Sequence, residues 1–212
     1  MKSVYKSNMK QLRFLLLPLA LILAAWAAFA YIPKPSGSHT SQAAPAPGSA
    51  NTGKVSIHIY KSKYRLELHR NDSVIRSYPV VFGFNPVDDK QKQGDGCTPE
   101  GTFHIRAKYP HRSWSYFMWL DYPTTDSWRK FNENKKKGTV SPTDNIGGEV
   151  GIHGVPFVTS DFGTKPTANT PHADDLIDNK TNWTLGCISL KTADIIELYS
   201  LVPVGTEVII TH

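Results

Sequence analysis

Two segments of the chain carry side chains that can do covalent chemistry together. In Asn182-Trp183-Thr184-Leu185-Gly186-Cys187-Ile188-Ser189-Leu190, a cysteine directly follows a glycine, between a polar approach and an apolar run. A glycine there permits a turn that exposes the sulfur and aims neighbouring N–H groups at one spot, so that nucleophile and oxyanion hole share a turn. Upstream, Glu149-Val150-Gly151-Ile152-His153-Gly154 reads as a short strand ending in a histidine, with glycines that let another backbone or a ligand approach. A thiol and an imidazole suggest a thiolate–imidazolium pair, provided the strand end and the turn lie at one edge of a sheet. The competing readings are an inert or disulfide-bonded thiol at Cys187 and an ordinary hydrogen-bonded histidine at His153.

His172 competes for the role of base, but it sits in the loop-like Thr170-Pro171-His172-Ala173-Asp174-Asp175, which holds a side chain less rigidly than a strand end, and ranks second. His153, Asp161, His172, Asp174 and Asp175 are residue types that bind zinc, yet their spacing matches no zinc motif, so no metal and no cofactor is expected. The second cysteine lies in Gly96-Cys97-Thr98-Pro99, at the end of a glycine-rich loop. It is expected to be packed and not bridged to Cys187.

The elements that must position these residues begin beyond a leader. Residues 1–13 carry Lys2, Lys6, Lys10 and Arg13 with no acid, and 14–32 form an apolar run of 19 residues interrupted only by Pro18. This reads as a signal peptide or signal anchor over 1–32. Ala28-Phe29-Ala30 fits a cleavage site, while the length of the run favours an uncleaved anchor with the rest of the chain on the outer face of the membrane. Residues 33–53, rich in Pro, Ser, Ala and Gly, read as a disordered tether, and 54–212 as one folded domain.

In that domain Val55, Ile57 and Ile59 alternate with polar residues, 64–69 repeats the period, and Asn71-Asp72 turns into a third strand run over 73–82, giving a β-meander. Residues 83–101 read as a long loop, 102–106 and 116–120 as strands, 126–131 as a short helical turn and 132–145 as loop. Beyond Cys187, Thr192 is placed as the N-cap of a helix bearing Ile195, Leu198, Tyr199 and Val202, followed by a last strand at 207–210. One helix among many strands predicts a mainly β fold. Five of the 24 basic residues and none of the 18 acidic ones precede residue 54, so the domain is nearly neutral. Lys135-Lys136-Lys137 then reads as a solvated loop, and a nucleic-acid partner is not expected.

Several segments fall into one order: Tyr78-Pro79-Val80-Val81-Phe82-Gly83, then Gly94-Asp95-Gly96-Cys97-Thr98-Pro99-Glu100-Gly101-Thr102-Phe103, then Ile152-His153-Gly154, then Thr184-Leu185-Gly186-Cys187-Ile188. Over roughly residues 54–210 this resembles the L,D-transpeptidase catalytic domain, also called the YkuD domain. The resemblance implies a β-sandwich-like fold with a short C-terminal helix, acting on peptidoglycan stem peptides in the cell envelope. Such an enzyme would face the periplasm from an inner-membrane anchor, or be exported there if the leader is cleaved. It implies that Cys187 attacks the L-centre to D-centre peptide bond of a stem to form a thioester that a neighbouring amine resolves, with His153 as base. The same resemblance gives Gly186 and Thr184 to the oxyanion turn, with the N–H groups of Gly186 and Cys187 meeting the oxyanion, and assigns Gly154 and Ser189 to substrate binding. The family commonly has histidine where Leu185 stands and arginine or asparagine where Ser189 stands. The wide gap from His153 to Thr184 makes 155–180 an expected insertion over the cleft. Hydrolysis of the thioester by an L,D-peptidase, a non-catalytic wall-binding module and a zinc peptidase remain the alternatives.

Overall fold

The computed structural model describes residues 53–157 and 172–212; the expected leader and tether, and most of the expected insertion, lie outside the described residues. Strands run Val55–Tyr60 (β1), Arg65–Arg70 (β2), Ser73–Pro79 (β3), Gly101–His111 (β4), Ser115–Leu120 (β5), Gly151–Gly154 (β6), Ile188–Leu190 (β7) and Glu207–Thr211 (β8). Helices run Thr125–Lys137 (α1), Asp175–Asp178 (α2) and Thr192–Leu201 (α3).

The alternation in β1 places Ile57 and Ile59 in the core. Antiparallel β2 sets Leu68 and Leu66 opposite them, and parallel β8 sets Val208 and Ile210 on their other side. Cross-strand apolar pairs of this kind hold a register, since a slip of one residue would turn every one of them outward. β3 completes the expected meander through a turn in which Asn71 takes a positive φ of 52°. The first half of β4 pairs with β8, and after a register shift between Ile105 and Ala107 its second half pairs with β5. The sheet bends there. Its full order is β3-β2-β1-β8-β4-β5-β6-β7, and its two ends meet where the Val81 N–H donates to the Ser189 carbonyl (3.0 Å) and the Ser189 N–H to the Val81 carbonyl (2.9 Å). The fold is mainly β, as expected, with the two halves of one sheet rolled into a nearly closed barrel.

Among the described residues three helices stand where one helix and a short helical turn were expected. α1 extends the anticipated turn by two further turns and absorbs the lysine cluster read as loop. The Thr124 hydroxyl accepts from the Ser127 N–H at its start, Asp126 lies in the first turn, and Lys135, Lys136 and Lys137 complement the negative end of the helix dipole. Gly138, with φ 76°, closes it. α3 buries Ile195 and Leu198 and stacks Tyr199 on Tyr116 of β5 at 4.1 Å. Thr192 is its first helical residue and not its cap. The free N–H there is satisfied from outside, by the Asp174 carboxylate accepting from Thr192 N (2.9 Å) and Oγ1 (3.3 Å).

One buried charge ties the long 83–101 loop to the barrel. The side chain of Lys61, just past β1, is 0% exposed. Its ammonium donates to the carbonyls of Val87 (3.4 Å), Asp88 (2.7 Å) and Thr98 (3.3 Å) and to Glu100 Oε1 (2.8 Å). Carbonyls from both limbs of the loop thus converge on one cation, which is stable in the interior only because its protons are taken up. Lys61→Met leaves those acceptors without a donor and is expected to lower unfolding free energy by about 2–4 kcal/mol, read from the urea midpoint; Glu100, still partly exposed, keeps the loss below that of a wholly buried pair. A change under about 0.5 kcal/mol, the size typical of unremarkable surface sites, would show the loop to be held by other contacts.

Candidate functional site

At one end of the barrel a cleft of about 500 Å³ is lined by residues that include Lys90, Trp114, His153, Trp183, Leu185 and Cys187, a size suited to a peptide-sized ligand. Its two reactive side chains come from neighbouring parallel strands. Ile152 lies opposite Ile188 and His153 opposite Ser189. One residue earlier the ladder brings Gly151 beside Cys187, and the Gly151 N–H is hydrogen-bonded to the sulfur. Because strand side chains alternate, Cys187 and His153, two steps apart along the ladder, share a face.

The turn before Cys187 is stapled by Thr184, whose Oγ1 accepts the Gly186 N–H (3.2 Å) and donates to the Cys187 carbonyl (2.7 Å). Gly186 has φ 134°, and a Cβ there would come within 2.7 Å of the Cys97 carbonyl oxygen. A Cβ on Gly83 would meet the Gly96 carbonyl oxygen at 1.9 Å and Gly186 N at 3.0 Å. Three backbone segments therefore pack at distances only glycine allows. The Gly186 N–H, expected to meet the oxyanion together with that of Cys187, is engaged inside the turn by Thr184 Oγ1.

His153 is 2% exposed. Its Nδ1 lies 2.8 Å from the Gly154 carbonyl; a carbonyl only accepts, so Nδ1 carries the proton and Nε2 is left as an acceptor. The ring is boxed by Trp114 (centroids 4.4 Å, stacked), Phe117 (5.7 Å, stacked) and Trp183 (5.5 Å, edge-on). Burial in this box pushes the imidazole down to about 4, with His111 adding to the shift and the bond to Gly154 opposing it. The cleft walls likewise desolvate the thiol of half-buried Cys187 and push it up to about 11, against the pull of the Gly151 N–H and the Lys90 charge. Both shifts favour the neutral forms over the expected thiolate–imidazolium pair. The thiol donates to the Glu149 carbonyl at 3.6 Å, and among the described residues no hydrogen bond joins it to His153. Glu149 presents that carbonyl from a left-handed backbone, φ 58°, which is uncommon for a residue with a side chain.

The other expected site residues are placed as follows. Thr184 and Gly186 line the cleft with Cys187. Ser189 is wholly buried at the seam that closes the barrel, its hydroxyl unpaired, and Gly154 is buried with no room for a Cβ against the Trp114 carbonyl. Neither is among the residues lining the described cleft: Ser189, on the same ladder face as His153, ends at the closing seam, and Gly154 meets the imidazole through its carbonyl. His172 pairs with Phe157, its ring tilted against that of Phe157 at 4.2 Å, apart from the described cleft wall. Asp174 caps α3, Asp161 lies outside the described residues, and among those described no three metal-binding side chains gather. Cys97 and Cys187 are both free thiols, and Cys97 is packed, as expected. Sequence reasoning missed Lys90, Trp114 and Trp183 as cleft residues. Lys90 gave no signal inside a charged loop, whereas the aromatic residues flanking the histidine strand and the cysteine turn were visible as an excess of large rings.

The YkuD family model, described as the L,D-transpeptidase catalytic domain, matches residues 54–210. Among solved structures, the helical cell shape determining protein Pgp2 from Campylobacter jejuni is similar at 17% identity and TM-score 0.51, over 76% of this chain and 47% of that one. Bd1075 of Bdellovibrio bacteriovorus is similar at 16% identity and TM-score 0.48, over 75% and 48%. An L,D-transpeptidase from Mycobacterium smegmatis is similar at 16% identity and TM-score 0.42, over 76% and 59%. The chain thus spans about half the length of these structures, and at such identities they speak for the fold alone. No curated protein matches the sequence.

The neutral resting pair has a measurable consequence. Since burial raises the Cys187 thiol, the group stays protonated through neutrality and yields thiolate only as pH approaches about 11. Alkylation of Cys187 by iodoacetamide is therefore expected to be slow at pH 7 and to rise about tenfold per pH unit well beyond pH 9, while the denatured protein levels off near the ordinary thiol value of ~8.5. A folded-state curve that plateaus below pH 8 would mean a preformed thiolate.

Proposed function

Because the chain belongs to the YkuD family of L,D-transpeptidase catalytic domains, we propose that it is a peptidoglycan-modifying L,D-transpeptidase acting through a Cys187 acyl-enzyme. Support comes from one observation: a cysteine on a stapled turn and a histidine with its acceptor nitrogen free line one cleft from neighbouring strands. As substrate enters and displaces the thiol from the Glu149 carbonyl, His153 Nε2 takes the proton from Cys187 Sγ while the sulfur attacks the carbonyl carbon of the stem peptide bond. A base lowered to about 4 is fully available at pH 7, and proton transfer is concerted with attack because a free thiolate would be poorly populated. The negative charge that develops on the carbonyl oxygen is met by the Cys187 N–H. Collapse breaks the C–N bond, and the leaving amine takes the proton from His153. The thioester that remains is attacked by the amine of a second stem, which gives a proton to His153 as the new amide forms; the thiolate recovers that proton.

With water as acceptor the same steps give hydrolysis. We further propose that residues 1–32 export the domain or anchor it in the membrane, with 33–53 as tether, so that it meets its substrate in the envelope.

Incubation of the purified domain with tetrapeptide-containing muropeptides is expected to give cross-linked dimers by mass spectrometry. Shortened stems alone would assign a peptidase, and sacculus binding without turnover would assign a wall-binding module. Cys187→Ala should abolish thioester formation, and His153→Ala should slow single-turnover acylation by about 10²–10⁴-fold. His172→Ala, remote from the described cleft, should change it only modestly. The reverse ranking of the two histidines would transfer the role of base.

A further inference from the structure

Lys90 is a buried cation at the cysteine turn for which the reaction steps above have no use. Its side chain is 4% exposed, it lines the cleft, and its ammonium lies 3.7 Å from the point where a Cβ would stand on Gly186. The one hydrogen bond it makes among the described residues is to Asp95 Oδ1, at 2.8 Å. An ammonium has three protons, so two remain for something else. Asp95 pairs with it as a carboxylate that also accepts three backbone N–H groups: Gln91 N (2.7 Å) and Lys92 N (2.9 Å) on Oδ2, and Cys97 N (3.0 Å) on Oδ1. Those N–H groups hold the carboxylate in place, and the carboxylate in turn aims the lysine. The neighbouring Lys92 is occupied elsewhere, on Asp144 at 2.9 Å. The only other charged side chain on the cleft wall is Glu149.

A desolvated ammonium with protons left unpaired on the cleft wall is a site for an anionic group of the ligand. Building on the transpeptidase reading, we propose that Lys90 is a specificity-determining residue that binds the free carboxylate of the residue leaving from the stem terminus. That carboxylate is separated from the attacked carbonyl carbon by only the amide nitrogen and one α-carbon, so a peptide seated with its carbonyl over Cys187 carries the anion into the neighbourhood of the Gly186 turn. The domain would then trim or transfer at chain ends carrying a free acid and discriminate against amidated or extended ends.

The test compares binding of a stem tetrapeptide as the C-terminal acid and as its C-terminal amide, by calorimetry on the Cys187→Ala protein so that no turnover intervenes. The acid is expected to bind about tenfold more tightly, the size of one charge-assisted hydrogen bond. Adding Lys90→Met should bring the acid-to-amide ratio to about one, and Lys90→Arg should restore part of it, with circular dichroism melting curves verifying that each variant is folded. Equal affinity of the parent for acid and amide, or an unchanged ratio in Lys90→Met, would overturn the proposal. Should Lys90→Met fail to fold, Lys90→Arg and the parent ratio decide alone: a ratio near one in the parent refutes it, a large ratio diminished by the longer, forked side chain supports it. Thioester formation by the unmodified protein is measured separately, so failure of the catalytic reading and failure of the carboxylate site give different results.

Discussion

Everything in the cleft depends on how a buried ammonium is satisfied just past the first strand. Lys61 has no route to water, and the acceptors that surround it come from the two limbs of a loop that would otherwise have no regular partner. Desolvating a charge costs several kcal/mol, recovered only if the acceptors stand in fixed positions, so the loop's freedom is removed by the lysine's need. The consequence propagates a short way. Thr98, whose carbonyl faces Lys61, also accepts the Gly83 N–H on its hydroxyl at 3.3 Å, and the next residue back, Cys97, lays its carbonyl on Gly186. The cysteine turn is thus pressed between the barrel end and a loop clamped from below, and its backbone has no space in which to relax.

A second constraint acts on the histidine strand. Enclosing an imidazole among Trp114, Phe117 and Trp183 fixes its plane, but the same rings remove the water that would stabilise an imidazolium. The thiol is treated the same way. A cleft that disfavours charge on both partners favours the thiol over the thiolate, the species that electrophiles and oxidants attack. The left-handed Glu149 presents the carbonyl that holds the thiol.

The strands were legible in the sequence because their pattern and their burial coincide. Ile57, Ile59, Leu66 and Leu68 alternate in the chain and face each other in the sheet, and Asn71 turns where an Asn-Asp pair should. The strand bearing His153 and the turn bearing Cys187 were readable from their glycines. α1 was not readable from periodicity, since its length buries Phe131 alone. Its signals were Thr124 and Gly138 at the ends and the charge gradient between them, which outweigh weak amphipathicity when the caps are complete. The N-cap of α3 was misplaced for a different reason: the carboxylate that satisfies it comes from Asp174, remote in sequence, and no local pattern encodes a cap supplied in space. The same holds for the anchors at Lys61 and Lys90, whose lysines look like any solvated residue until the loop folds over them.

The two positions at which the turn departs from its family's pattern differ in kind. Thr184 and Gly186 are bonded to each other across residue 185, so the stapled turn throws the side chain of that residue outward, and Leu185 is 77% exposed at the lip of the cleft. A leucine in place of histidine there changes what an arriving ligand meets without touching the bonds that hold the sulfur. Ser189 is the opposite case. Its backbone makes both bonds that close the barrel on Val81, and its hydroxyl is buried without a partner among the described residues. A longer cationic side chain at that register would have to leave through the cleft beside His153, whereas serine ends inside the wall.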